Sequence, residues 1–292
     1  MKKDPHFSTY KSEGHEWITL AESEYYPDIL IQAQTLYSPV LIKFKELVSK
    51  AKTSGELFLE ISKTDDQWTR IQLCRVFRKY VSPATPVEML KQKRKAGEIV
   101  ERFGKQFRDI SEVKKFVLDR ADDDEVISAI LWEYKDRGQS GYNLTEKAFE
   151  TIRTLFPDFV VTGPERAGRD ILLGEILEDY PKPDRPVDLV INNSDGELLA
   201  VGLARYDGDR GGAQEDDRTG QYREVADELI GFYEKKLMSV AKVIFINDGP
   251  GLLLGSMWDD YSYIESKNPS RIKVITLKML KTRLTREWLE SE

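Results

Sequence analysis

The stretch Pro186-Val187-Asp188-Leu189-Val190-Ile191-Asn192-Asn193-Ser194-Asp195-Gly196-Glu197-Leu198-Leu199-Ala200-Val201-Gly202-Leu203 decides the architecture. Two apolar runs, 187–191 and 198–203, flank the polar turn Asn192-Asn193-Ser194-Asp195-Gly196, whose Asp-Gly dipeptide fits the positive-φ positions of a tight hairpin turn. Both runs are apolar almost throughout, so both are expected to be strands buried in a sheet. Outward from this hairpin, 159–161, 242–246 and 273–277 read as further strands. Helical spacing over 145–155, 171–177, 224–237 and 255–265 places helices between them, with a short helix at the C-terminus. Strands alternating with helices predict an α/β fold, a central mixed sheet flanked by helices, over 157–292.

Before that, 27–134 carries apolar residues at helical spacing, among them Trp68, Ile71, Cys74 and Phe77. The first 24 residues show no clear period and read as an arm or short peripheral element. The expected organisation is a mainly helical region over 1–156, suited to DNA binding or dimerisation, followed by the α/β core. Thr85-Pro86-Val87-Glu88 has the order of a helix N-cap with proline in the first turn.

The composition narrows the chemistry. No apolar run approaches the roughly 20 residues of a membrane span, and Met1 to His6 leads into no apolar signal segment. Cys74 is the single cysteine and falls in a core-like run, which excludes a disulfide framework and a CxxC zinc site. These features point to the cytoplasm. With only His6 and His15 available, chemistry must run on carboxylates, Lys, Arg, Tyr or Ser. The net charge of −7 argues against coating nucleic acid by bulk attraction, although a local basic stripe from Lys91 to Arg108, which includes Lys93 and Arg94, could still contact a phosphate backbone.

Directly after the second hairpin strand, five carboxylates and three arginines crowd into 205–218, with glycines at 208, 211 and 212. Charges this dense cannot be buried unpaired. Carboxylates here can hold a divalent cation, and guanidiniums can grip phosphate oxygens in pairs. A calcium loop counted from Asp207 fails, because its twelfth position is Arg218 rather than a glutamate. No glycine-rich nucleotide-binding pattern is present either. Asp188 is a lone carboxylate in an apolar strand and needs a partner there: a cation, an arginine or backbone donors. Ala200, Gly202 and Ala204 share one face of the next strand and are expected to leave room for a metal and a phosphodiester.

Pro186-Val187-Asp188-Leu189-Val190-Ile191, the hairpin, the strand 200–205 and the helix after it resemble the PD-(D/E)XK nuclease superfamily, more narrowly its type II restriction endonucleases. The run 204–220, and Trp132-Glu133-Tyr134-Lys135-Asp136-Arg137-Gly138-Gln139-Ser140-Gly141-Tyr142-Asn143-Leu144-Thr145-Glu146, are similar in character to restriction-enzyme signatures. Two departures stand out: Val187 separates the proline from the aspartate, and Leu203-Ala204-Arg205 lacks the acid of the second motif. The resemblance implies a site-specific endonuclease that hydrolyses phosphodiesters of double-stranded DNA with one or two magnesium ions. It implies metal ligands at Asp188 and at Asp207 or Glu215, Arg205 in the lysine's place, and Glu175 as a further acid. It also implies DNA contacts from Arg210, Gln214 and Arg218, and a homodimer matching a palindromic site. A non-catalytic DNA-binding or regulatory protein, and a metal phosphoesterase acting on small nucleotides, are the alternatives.

Overall fold

The structure is a computed structural model describing residues 5–21, 24–86, 90, 92–135, 139–163, 171–208, 213–236 and 241–291, with backbone alone described for 139–143, 213–218 and 235–236. Contacts divide the chain into two compact units, 23–137 and 1–22 with 138–292. The expected division at 156/157 falls inside the second of these.

The described residues of the unit 23–137 are mainly helical: α2 (Leu30–Lys50), α3 (Ser54–Lys63), α4 (Gln67–Tyr80), α5 (Ala96–Phe103), α6 (Ile110–Leu118) and α7 (Glu125–Trp132). Short polar side chains set where several begin. Thr53, Asp66, Asp109 and Asp124 each accept a hydrogen bond from a backbone N–H of the first turn that has no partner within the helix. Their apolar faces meet in a core containing Tyr37, Phe44, Phe58, Cys74 and Phe77. Cys74 is fully buried, as its surroundings in the sequence predict. Residues 87–89, where the proline-led helix start was expected, lie outside the described residues.

The other unit holds a five-stranded mixed sheet flanked by helices. In chain order it comprises α1 (Gly14–Trp17), α8 (Gln139–Leu155), β1 (Val160–Thr162), β2 (Ile171–Leu172), α9 (Leu173–Ile176), β3 (Pro186–Val187), β4 (Leu189–Asn192), β5 (Leu198–Tyr206), α10 (Ala213–Lys236), β6 (Lys242–Asp248), α11 (Met257–Lys267), β7 (Ile272–Ile275), α12 (Leu280–Arg283) and α13 (Arg286–Glu290). The order in the sheet is β1-β4-β5-β6-β7, antiparallel from β1 to β5 and parallel from β5 to β7. Residues of β6 and β7 are buried throughout, which explains their unbroken apolar runs. Gly196, at the hairpin turn, takes φ +85°, a value glycine adopts without strain.

Three expectations are corrected. The N-terminal segment is no peripheral arm: Phe7 is fully buried and stacks on Trp258 at 4.5 Å between ring centroids. The stretch expected to be helix over 171–177 is a two-residue strand, β2, followed by one helical turn. Pairing of Ile171 and Leu172 with Val187 and Pro186 outweighs local helical spacing there. The third concerns the helix expected to start at 224. Arg205 and Tyr206 finish β5, in register with Asn247 and Asp248, and α10 begins at Ala213, eleven residues before the expected helix start.

Candidate functional site

Asp188 stands at a break in the strand. On its N-terminal side, β3 leaves the main sheet to pair with β2; on its C-terminal side, β4 pairs with β1 and β5. Its N–H donates to the Gly202 carbonyl at 2.9 Å, continuing the ladder. Its carboxylate Oδ2 accepts from the Ala204 N–H at 2.9 Å, so a side chain satisfies a strand donor beyond the last backbone pair. That is one of the three partner types expected for this residue. Because β4 and β5 are antiparallel, the bond sets the half-buried Asp188 beside the C-terminal end of β5, one residue from Arg205.

Arg205 donates from Nε to Asp207 Oδ1 at 2.8 Å. The Asp207 side chain is almost wholly buried, so this is a largely desolvated pair that fixes the guanidinium. The backbone of Asp207 is held as firmly. Its N–H donates to the Asp248 carbonyl at 2.7 Å, and its own carbonyl accepts from the Gly251 N–H at 2.8 Å. Gly249, with φ +107°, packs so closely that an added Cβ would lie 2.4 Å from the Asp207 carbonyl oxygen.

Asp248 is a buried carboxylate that did not stand out in the sequence. Its Oδ1 accepts from the Thr19 and Gly249 N–H groups at 2.6 and 2.7 Å, and its Oδ2 from the Leu277 N–H at 3.0 Å. Burial pushes its carboxyl above the ordinary range, although the backbone donors oppose the shift. It resembles Asp188 in a readable way, as an acid at the end of an apolar strand, followed here by Gly249-Pro250.

Glu175 sits apart in role. Its Oε2 accepts from the Leu172 N–H at 3.3 Å at the opening of α9, so it serves a helix start whose N-cap, Leu172, is itself paired in the β2–β3 ladder. The small residues of β5 leave no cavity at Gly202, where a Cβ would lie 2.8 Å from the Ile244 carbonyl oxygen and 3.2 Å from Leu189 Cδ2. The expected room for a metal and phosphodiester on that face is occupied by packed core.

Comparison with known protein families, with curated proteins and with solved structures finds no match.

Asp188, Arg205 and Asp207 lie along one end of the sheet. The side chains of Arg210, Gln214, Glu215 and Arg218 lie outside the described residues. Among the described residues no three of His, Cys, Asp and Glu form a set able to hold a metal ion. Asp207, with Arg205 across it, is suited to steadying that arginine. Lys93 and Arg94, in the helical unit, are both exposed, and Lys93 pairs with Asp65 at 2.8 Å.

Charged side chains also tie α10 to the approach to Asp188. Arg185 donates to both oxygens of Glu228 at 3.0 Å, and Lys182 reaches Glu224 at 2.7 Å. Hydrogen bonds from Lys182 and Glu228, with the cations of Lys182 and Arg185 nearby, hold the Glu224 carboxyl below its usual range. The helix carrying Glu215 is thereby fastened to the chain just ahead of Asp188.

Gly163 sits against the other side of this strand. A Cβ there would lie 2.3 Å from the Asp188 carbonyl oxygen and 2.1 Å from Phe149 Cζ. Gly163→Ala is therefore expected to cost about 1–3 kcal/mol through overpacking, and to shift Asp188, because its backbone carbonyl, unlike a side-chain end, cannot swing aside. Urea denaturation of the variant measures this cost; a midpoint equal to the wild type would show that the contact is easily relieved.

Proposed function

We propose that this protein is a divergent nuclease of the PD-(D/E)XK kind, a type II site-specific endonuclease acting on double-stranded DNA. The observation that supports this best is the bond from Ala204 N–H to the Asp188 carboxylate. It sets the acid of the first hairpin strand beside the strand-end cation Arg205, itself held by Asp207. In this reading Asp188 and Glu215 hold magnesium, which activates water and offsets charge on the leaving oxygen when bound. Arg205 cannot act as a base, since a guanidinium does not deprotonate in a protein; it grips the scissile phosphate or orients the attacking water. Arg210, Gln214 and Arg218 supply phosphate or base-edge contacts, for which Arg and Gln have the bidentate geometry. A two-fold homodimer would match a palindromic site. The cytoplasm suits such an enzyme, and no helix among the described residues is long and apolar enough to cross a membrane.

The same Ala204–Asp188 bond also fits a second reading, in which the aspartate only completes a strand and the protein binds DNA without cutting it. Incubating the protein with phage DNA and magnesium decides between them. Discrete fragments that vanish with a chelator, and with Glu215→Gln, are expected. Tight duplex binding with no cleavage in magnesium or manganese would establish the non-catalytic reading. Release of phosphate from mononucleotides with plasmid left intact would instead indicate a small-molecule phosphoesterase.

A further inference from the structure

The two units differ in charge. Residues 23–137 carry 21 Lys and Arg against 19 Asp and Glu, whereas 1–22 with 138–292 carry 23 against 32. Within the helical unit the excess lies in 91–115, with nine basic and four acidic residues. The structure separates these cations into two kinds. Lys93 pairs with Asp65, and Lys95 and Arg102 both pair with Glu98. Lys105, Arg108 and Lys115 are exposed and have no ion-pair partner among the described residues. Surface cations of the α/β unit, by contrast, are repeatedly neutralised, as in Lys11–Asp259, Lys182–Glu224, Lys267–Asp227 and Arg286–Asp158.

Arg108 is also presented on a fixed frame. Its N–H donates to the Val81 carbonyl at 3.1 Å, and its carbonyl accepts from Ser54 Oγ at 2.5 Å. The preceding Phe107 packs edge-on against Phe77 at 5.2 Å in the helical core. The guanidinium lies over the exposed Phe116 ring, 5.5 Å from its centroid, so its direction is set by stacking rather than by a carboxylate. An arginine held by its backbone and one ring face, with its N–H fork open, is arranged to receive an anion in paired hydrogen bonds. Glu101 and Glu112 are exposed on the same segment, and Asp109 is engaged in capping α6. Several exposed cations spread along one segment suit a repeating anion better than an isolated one.

We propose that Lys105, Arg108 and Lys115, three exposed cations on the segment 104–118 of the helical unit, dock the phosphate backbone of duplex DNA, holding it without reading its sequence. This deepens the nuclease reading by naming where substrate is held, yet it is tested without cleavage. The measurement is binding of a fluorescent 30-base-pair duplex in EDTA across a salt series, with circular dichroism to confirm folding. Arg108→Glu is expected to weaken binding at least about tenfold. Lys281→Glu, the same charge change at an exposed site of the α/β unit, should leave binding within about twofold. The triple reversal of Lys105, Arg108 and Lys115 should flatten the slope of log affinity against log salt by about 2–3, close to one for each phosphate no longer neutralised. Equal effects of Arg108→Glu and Lys281→Glu, or no duplex binding by the wild type, would overturn the proposal. So would tighter binding of a matched single-stranded RNA. If the wild type binds through this segment but never cuts, the nuclease reading fails and the docking surface stands.

Discussion

Asp188→Asn is expected to fold like the wild type, bind duplex DNA with similar affinity, and cleave it at least about a thousandfold more slowly. Asparagine keeps a carbonyl oxygen able to accept from the Ala204 N–H, now 2.9 Å from Asp188 Oδ2. It removes the negative charge that a bound cation requires. Metal activation of water and charge stabilisation are together worth several kcal/mol, and each 1.36 kcal/mol is tenfold in rate. Asp188→Ala should add a structural loss, since the Ala204 donor is left without that acceptor, at a cost of about 1–3 kcal/mol. Comparing the two variants separates charge from hydrogen bonding. Gel cleavage assays with magnesium, run beside thermal unfolding, provide the readout. If Asp188→Asn cuts as fast as the wild type, the aspartate only completes the strand and the metal site lies elsewhere.

The largest stability effect is expected at Glu265→Ala. Glu265 and Arg283 are both almost completely buried and meet at 2.7 Å, joining α11 to α12. The same carboxylate accepts from the Phe7 N–H at 2.9 Å and the Val274 N–H at 2.8 Å, so one side chain connects the N-terminal segment, β7 and α12. Removing it leaves a guanidinium buried without its counter-charge, which typically costs about 3–5 kcal/mol. For a unit of this size that corresponds to a fall in Tm of about 6–20 °C, at about 2–4 °C per kcal/mol. Limited proteolysis should cut first near Lys11, as Phe7 loses its anchor. Replacing the pair together, Glu265→Leu with Arg283→Met, should cost less than Glu265→Ala alone, because two apolar side chains need no charge partner. A Glu265→Ala midpoint within 2 °C of the wild type, with no new cleavage near Lys11, would show that Glu265 does not hold this junction.

Much of the fold was legible because its signals are local. The Asp195-Gly196 turn, the apolar strands on either side and the apolar runs of β6 and β7 follow from backbone preferences and burial. The helical period over 27–134 is read in the same way. Less legible were elements whose existence depends on a distant partner. Ile171 and Leu172 are strand only because Val187 and Pro186 lie opposite. Phe7 is core only because Trp258 and Glu265 receive it. The candidate site divides similarly. That Asp188 required a partner was evident from a charge in an apolar run, but that the partner is the Ala204 N–H was not. Glu175 and Asp207 are acids like any other in sequence; their partners, the Leu172 N–H and Arg205, distinguish them.

The sequence alone determined which segments must leave water and which could not, and so the α/β class, the hairpin and the short list of side chains available for chemistry. Only the tertiary structure decided the order of strands, the packed face at Gly202 and the neighbours of each carboxylate. The reason is that apolar burial is a sum over residues, readable one residue at a time. The role of a charged group is a property of the few atoms within hydrogen-bonding reach, and chain folding alone brings those together.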